Sequence, residues 1–234
     1  NQATETYAFN YTYDVRRDND NLLSMKGLST KASLDLAMCS TGNCTQAREF
    51  QLFVDFYGDE DYGDKWIVAA AEGNTTMFSS GRGNANFSTM VGPRGRGRAE
   101  AFERGMIGLN LWMSVVQHLR RAVFSCSSGC SDTEGSDCAL HDFDSAAALY
   151  VGILEEEDGQ GEGRMLYNLA NEFSPIFKTG LWAGNGTRGT AHVNLEALFF
   201  MEEAQSELLR EDPDCDIVES VVDNIIQLIT VPLV

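Results

Sequence analysis

Apolar residues recur at helical spacing along most of the chain. Residues three and four positions apart share one face of an α-helix, so this repeat predicts helices. The predicted helices are residues 22–38, 45–57, 64–72, 98–124, 141–156, 163–173, 190–210 and 213–230. The stretches between them are rich in Gly, Ser and Asn, and the longest, residues 73–98, has room for a minor β-hairpin. The pattern predicts an all-α, multi-helix globular domain with long loops.

Two of these helices carry start signals. Asp212 precedes Pro213, which is typical of an N-cap followed by the first helical residue, and Asp142 is expected to cap the helix predicted from residue 141. The C-terminal helix is amphipathic, and its apolar face comprises Ile217, Val221, Ile225 and Ile229, with Val218, Val222 and Ile226 beside them. We therefore expect a core helix rather than a membrane anchor. No apolar run reaches the roughly 18 residues that span a bilayer.

The long helix at residues 98–124 has a polar stripe opposite a face that contains Trp112 and Val116. The stripe consists of Glu103, Asn110, Ser114, Gln117 and Arg121. A polar stripe on an amphipathic helix usually faces water, and that is the expectation here. The alternative is that the stripe meets the helix predicted from residue 141 around a shared polar centre.

The length and composition suit a single domain over residues 1–234. The chain has 234 residues, of which 43% are hydrophobic, and this is ample for one core. Acidic residues outnumber basic residues by 35 to 17, which gives a formal charge of −18. Such a surface repels phosphate backbones, so the charge disfavours nucleic-acid binding and favours cations or basic partners.

The charge is unevenly distributed along the chain. Residues 82–121 contain seven basic and two acidic residues, a balance of +5, whereas residues 132–165 contain ten acidic residues and one basic residue, a balance of −9. The simpler interpretation is that the two segments fold against each other. The alternative is head-to-tail contact between copies, because complementary patches on one molecule favour homo-oligomers or fibres.

Six cysteines form an even set that predicts three disulfides in an oxidising compartment. They are Cys39, Cys44, Cys126, Cys130, Cys138 and Cys215. A thiolate zinc site is disfavoured because the C-x4-C and C-x3-C spacings lack a nearby His. The spacing leaves the disulfide pairing open.

Five N-x-[ST] sequons predict a glycoprotein that is secreted, extracellular or held at the cell surface. The acceptor residues are Asn10, Asn43, Asn74, Asn86 and Asn185. The chain begins at Asn1 without a basic and then apolar signal-peptide pattern, as expected for a mature N-terminus.

The common catalytic motifs are missing from the sequence. There is no G-x-S-x-G elbow, H-E-x-x-H pair or P-loop, and the three histidines leave little room for a Ser-His-Asp or Cys-His site. We therefore expect a protein that is not an enzyme. The Gly and Arg-rich run at residues 92–105 is expected to be a basic loop opening into a helix. Its Arg98 and Arg104 are candidates for capturing an anion.

Hard metal ligands are concentrated between residues 141 and 167. His141, Asp144 and Glu155 share one helix face with small residues between them, and Tyr150 and Tyr167 add phenol oxygens. Ferric iron prefers compact anionic oxygen donors and an occasional imidazole. Tyr150 lies about 120° around the helix from Asp144, so it would have to bind a metal through a neighbouring helix or at a second site. The alternatives are a buried core tyrosine and, for the Asp144 face, a tight helix crossing.

Several blocks of the chain, in order, resemble the iron-assimilation proteins of algae. These are the low-iron-inducible periplasmic or cell-surface proteins to which diatom phytotransferrins are related. The blocks are "DYGDKWIVAAAEG" at 61–73, "RAEAFERGMIGLNLWMSVVQHLRRAVFSC" at 98–126, "DFDSAAALYVGILEEEDGQGEGRMLYNLANEF" at 142–173, "FKTG" at 177–180 and "VNLEALFF" at 193–200. The resemblance covers about residues 50–220. Phe143 stands where the family pattern has Trp, Ser145 where it has Glu, and Ser174 and Gly180 near positions where it has Cys.

The resemblance implies a secreted or cell-surface protein that binds ferric iron for uptake, in phytotransferrins together with carbonate. The first hypothesis is therefore an extracellular Fe(III)-binding glycoprotein, with ligands among Asp144, Tyr150, Tyr167, His141 and Glu155. Arg98 or Arg104 would hold the carbonate. The second hypothesis is a structural subunit of an extracellular fibre or coat that reuses this domain without iron binding, as the departures at Ser145 and Ser174 would suit.

Overall fold

A computed structural model describes residues 47–90, 95–128, 138–152, 163–180 and 190–234. Of these residues, 76% are helical and none belongs to a strand of a sheet, so the predicted all-α class is confirmed. The hairpin expected within residues 73–98 is reduced to one isolated antiparallel bridge between Thr75 and Asn86. The predicted helix at 22–38 lies outside the described residues.

Seven helices make up this part of the chain. They are α1 (Arg48–Tyr57), α2 (Tyr62–Glu72), α3, α4 (Cys138–Val151), α5 (Leu166–Phe177), α6 (His192–Leu208) and α7 (Cys215–Thr230). Helix α3 runs without a break through an α-helical segment (Gly95–Gly105), a π-helical turn (Met106–Leu111) and a second α-helical segment (Trp112–Ser128). A 3-10 turn (Val231–Leu233) follows α7.

Helix α3 runs through the centre of the molecule. Every residue from Asn110 to Arg120 is buried, and the most extensive contacts of α3 are with α4, followed by α2 and α7. The apolar face predicted around Trp112 and Val116 is confirmed. The expectation that the polar stripe faces water is wrong for its middle part, because Asn110, Ser114 and Gln117 are fully enclosed. Helical periodicity identifies a polar face but not whether another helix covers it.

The apolar face of α7 packs into the same core. Val218, Val221, Val222, Ile225 and Ile229 are all buried, as predicted, whereas Ile217 at the start of the face is 42% exposed. None of the described helices is long and apolar enough to cross a membrane.

The N-cap of α7 is Asp214 rather than the predicted Asp212. One carboxylate oxygen of Asp214 accepts hydrogen bonds from the backbone N–H groups of Asp216 and Ile217, at 3.1 and 3.2 Å. These N–H groups have no acceptor within the helix itself, so the carboxylate stabilises the first turn. Pro213 therefore precedes the helix instead of opening it.

Helix α4 begins at Cys138, three residues before the predicted start. Asp142 therefore lies inside the helix and does not cap it, which corrects that expectation. The buried Asp142 carboxylate contacts His118 and Arg121 of α3, with 3.0 Å to His118 Nδ1 and 3.7 Å to Arg121 Nε. Arg121 of the stripe thus meets α4 at a polar centre, as the alternative interpretation proposed. Asn110 contacts α2 instead, where its Nδ2 lies 3.4 Å from Asp64 Oδ1.

Helix α5 extends past its predicted end at residue 173 and contains Pro175 in its last turn. Proline has no N–H to donate to the carbonyl four residues earlier, which is that of Asn171. The Ser174 hydroxyl donates to this carbonyl instead, at 3.0 Å. The helix therefore continues to Phe177.

A buried ion network joins α1, α3 and α7. The Arg120 guanidinium donates to both carboxylate oxygens of Glu49, at 2.6 and 3.2 Å, and lies 2.7 Å from the Asp223 carboxylate. Arg48 contacts both acids from the outer side. Two helices distant in sequence are thereby attached to the central helix.

Candidate functional site

Tyr150 and Tyr167 are brought together at the contact of α4 with α5. Their ring centroids lie 6.1 Å apart, with an interplanar angle of 81°. Both side chains are buried, and Tyr150 is completely enclosed. Tyr150 is thus a buried core tyrosine, which was the alternative interpretation, and its ring meets that of Tyr167 from a neighbouring helix.

Asn194, at the start of α6, holds this pair in place. Its Oδ1 accepts a 2.5 Å hydrogen bond from the Tyr150 hydroxyl. Its Nδ2 donates to the backbone carbonyl of Tyr167 and to Asn171 Oδ1, each at 2.8 Å. Asn171 Oδ1 also accepts from the backbone N–H of Ala191. Two asparagines therefore tie three helices around the phenols.

The environment of Tyr150 favours the neutral phenol. Burial raises the pKa of its hydroxyl well above the ordinary range, and the neighbouring Tyr167 raises it further. The hydroxyl is also a hydrogen-bond donor to Asn194, which requires its proton. A metal ion would have to displace that proton and the hydrogen bond together.

His141 and Asp144 lie apart from this pair, on the exposed side of α4. Asp144 Oδ1 accepts a 2.9 Å hydrogen bond from Gln205 near the other end of α6. The exposed His141 contributes its backbone carbonyl to the Ser145 hydroxyl at 2.8 Å. Glu155 lies outside the described residues. The structure therefore unites the two tyrosines and places Asp144 in a different hydrogen-bonding environment.

The carboxylates and histidines do not converge elsewhere in the described ranges. Among residues 47–90, 95–128, 138–152, 163–180 and 190–234, no group of three or more His, Cys, Asp or Glu side chains is arranged to hold a metal ion. The oxygen donors that the structure brings into contact are the Tyr150 hydroxyl and the amide oxygen of Asn194, with the Tyr167 ring beside them. Both are hard oxygen atoms.

The two candidate anion-binding arginines differ in their surroundings. Arg104 Nη2 donates to Glu172 Oε2 at 2.9 Å, and its guanidinium lies 5.0 Å above the Phe173 ring. Arg98 is half-buried beside the end of α2, where a Cβ on Gly73 would lie 2.6 Å from its Nη1. A cation at a helix C-terminus is favourable. Arg104 thus has a structural partner, and an anion would compete with Glu172 for it.

Covalent features agree in part with the predictions. Cys126 and Cys215 form a disulfide that links α3 to α7, and Cys138 is also disulfide-bonded. Cys39, Cys44 and Cys130 lie outside the described residues, as do Asn10, Asn43 and Asn185. The remaining two sequon residues, Asn74 and Asn86, are exposed and adjoin the bridge between Thr75 and Asn86. Both positions could carry a glycan without disturbing the core.

Asn194 and Asn171 were not predicted as site residues. In the sequence, each of the two is a polar position within the apolar repeat of its helix. Only the packing of α5 against α6 encloses them. The signal available in advance was the "LYNLANEF" block itself, in which Tyr167 and Asn171 lie one helical turn apart.

Comparison with known proteins adds no further assignment, since no family model, curated protein or solved structure matches the chain.

Proposed function

We propose that this chain is an extracellular glycoprotein that binds ferric iron, with the Tyr150–Tyr167 pair as the core of the metal site. The observation that supports this most is the meeting of two buried phenols from different helices next to an amide oxygen. Phenolate oxygens are among the strongest ligands for Fe(III). The resemblance to algal iron-assimilation proteins points to the same cargo.

Iron binding at the proposed site releases protons from the ligands. Tyr150 has to exchange its hydrogen bond to Asn194 for a bond to the metal, and both phenols have to deprotonate. Asn194 Oδ1, once released by the Tyr150 hydroxyl, is free to turn to the metal or accept from another donor. Because ligand protonation competes with the metal, iron affinity falls as the pH falls. Carbonate would complete the coordination, as the family resemblance implies.

Titration of the purified protein with ferric iron in bicarbonate tests this proposal. We expect stoichiometric uptake and a visible phenolate-to-iron charge-transfer band in the wild type. Tyr150→Phe and Tyr167→Phe should each weaken the band and the uptake. Tyr57→Phe is the matched control, because Tyr57 is also a buried tyrosine but belongs to the α1–α2 cluster.

The control should bind iron as the wild type does. Circular dichroism of each variant establishes that the helices remain. A folded wild-type protein that takes up no iron and shows no visible band would contradict the proposal, as would equal binding by Tyr57→Phe and the double variant Tyr150→Phe/Tyr167→Phe.

A second candidate function is that of a structural subunit in an extracellular fibre or coat. The basic and acidic segments support this function less than expected. Arg121 of the basic segment contacts Asp142 of the acidic segment within the same chain. The observation in its favour is an exposed apolar pair on α6, where Leu195 and Phe199 lie one turn apart and Phe199 is 64% exposed. Sedimentation velocity over a concentration series tests it. A strictly monomeric protein would contradict it.

A further inference from the structure

A wide apolar groove lies along the first half of α3, and neither Asp142 nor His118 lines it. It is bounded by the first half of α3, by α5 and by the turn at Val231–Leu233, and it has a volume of about 870 Å³. Sites for small molecules occupy about 300–1,000 Å³ and are mostly apolar with a few polar groups. The groove is therefore of the size and composition of a ligand site. It contains neither tyrosine of the proposed iron site.

Small residues on α3 form one wall of the groove. Ala101, Gly105 and Gly108 lie at successive turns of one face. A Cβ on Gly105 would lie 2.4 Å from the Trp66 ring, so Gly105 is needed for the packing of that indole. A Cβ on Gly108 would meet only Leu233 Cδ2, at 3.7 Å, which is an ordinary contact. Packing thus leaves space at Gly108, where a side chain would project towards the groove.

The remaining walls are mainly aromatic and aliphatic. Trp66, Trp112 and Phe173 line the groove, and the rim includes Phe177 and Val231, which are 67% and 55% exposed. The π-helical turn Met106–Leu111 lies in the same wall, and such turns occur frequently at functional sites. Apolar surface of this extent is costly to leave in contact with water.

The polar groups of the groove select against a charged ligand. Arg104 contributes its guanidinium, but that group is paired with Glu172, lies 3.7 Å from Glu100 and is stacked on Phe173. A carboxylate or phosphate ligand would have to displace Glu172 and would approach a chain with a formal charge of −18. A neutral molecule meets neither obstacle.

We propose that this groove binds a neutral lipid-like molecule with an aliphatic body, such as a long-chain alcohol or ester. The apolar walls take the body, and a neutral head group does not have to compete with Glu172 for Arg104. Neither Tyr150, Tyr167 nor Asn194 lines the groove, so the groove proposal is tested separately from iron binding.

Fluorescence of N-phenyl-1-naphthylamine, a neutral probe that brightens in apolar sites, tests the proposal on the full chain. We expect saturable binding and displacement of the probe by oleyl alcohol. Oleate, which has the same chain but an ionised head, should displace it at least about tenfold less well. Gly108→Phe should weaken probe binding at least about tenfold by filling the groove.

Two further variants keep the test decisive if Gly108→Phe fails to fold. Phe177→Ser removes an exposed rim ring and should also weaken probe binding. Phe199→Ser removes an equally exposed ring on α6 outside the groove, and it should leave binding unchanged.

Several results would overturn the proposal. Probe binding that is the same in the wild type, Phe177→Ser and folded Gly108→Phe would place the probe elsewhere. Displacement by oleate as effective as that by oleyl alcohol would contradict a neutral ligand. Absence of probe binding, with a dimer in sedimentation that Phe177→Ser dissociates, would show that a second copy covers the groove.

Discussion

The hydroxyl of Tyr150 donates a 2.5 Å hydrogen bond to Asn194 Oδ1, and this contact joins α4 to α6 across the buried end of the tyrosine pair. Asn194 is itself completely buried and donates onward to Tyr167 and Asn171. One amide therefore satisfies polar groups on two other helices. It is the centre on which the proposed site depends.

Removal of this amide should destabilise the fold. Asn194→Ala leaves the buried Tyr150 hydroxyl without its acceptor, at roughly 1–3 kcal/mol, and removes the second hydrogen bond to the Tyr167 carbonyl. Urea unfolding followed by circular dichroism measures the loss. Asn168→Ala, on the less buried side of α5, is a control that should change the free energy of unfolding little. Equal stability of Asn194→Ala and the wild type would contradict this account of the site.

The Glu49–Arg120 pair gives a second prediction about stability. Arg120 is 3% exposed and Glu49 is 10% exposed at their side chains, so removing either one leaves the other charge buried. Arg120→Met should cost about 3–5 kcal/mol. In the double variant Glu49→Leu/Arg120→Met the loss should be smaller than the sum of the two single losses.

A double-mutant cycle from urea unfolding measures this coupling. Arg210→Ala provides a comparison, because Arg210 is an exposed residue whose ion pair with Glu207 lies at the surface. That variant should unfold at the same urea concentration as the wild type. Additive losses at Glu49 and Arg120 would show that the pair is not coupled.

Glu49 also makes stability depend on acidity. Burial alone would raise the pKa of this carboxyl, but its hydrogen bond to Arg120 and the charges of Arg120 and Arg48 outweigh burial and lower the pKa below its ordinary value of 4.5. The folded state therefore holds the Glu49 proton less tightly than the unfolded state. This contribution is fully present above pH 4.5 and is lost as the pH falls through the lowered pKa.

Urea unfolding between pH 6 and pH 3 tests that dependence, at pH values chosen around the ordinary carboxyl range. Stability should fall towards low pH in the wild type and fall less steeply in Glu49→Gln, which cannot titrate at this position. Parallel curves for the two proteins would assign the acid sensitivity to other carboxylates.

Much of the fold follows from local patterns in the sequence. The apolar repeat predicted α3 and α7 nearly to their ends, because both helices bury an apolar face whose residues recur at helical spacing. The repeat did not reveal that Asn110 and Gln117 would be enclosed. Local periodicity does not encode whether other helices pack against the polar side of α3. The predicted start of α4 was three residues too late, because Asp142 was interpreted as an N-cap. In the structure Asp142 lies inside the helix and contacts His118 of α3.

The candidate site was predicted only in part. Tyr150 and Tyr167 were both identified as oxygen donors, and the position of Tyr150 around α4 excluded a shared face with Asp144. The partner that positions them, Asn194, lies 44 residues beyond Tyr150, and no local pattern connects the two. Long-range hydrogen bonds of this kind depend on how α6 packs on α4 and α5.

Resonance Raman spectroscopy of the ferric-loaded protein in bicarbonate tests the iron proposal most directly, because phenolate vibrations are enhanced only when a tyrosine oxygen binds the metal. The account predicts tyrosinate bands in the wild type and in Tyr57→Phe, and their loss in Tyr150→Phe/Tyr167→Phe. A spectrum without tyrosinate bands in the iron-loaded wild type, or with the same bands in the double variant, would contradict it.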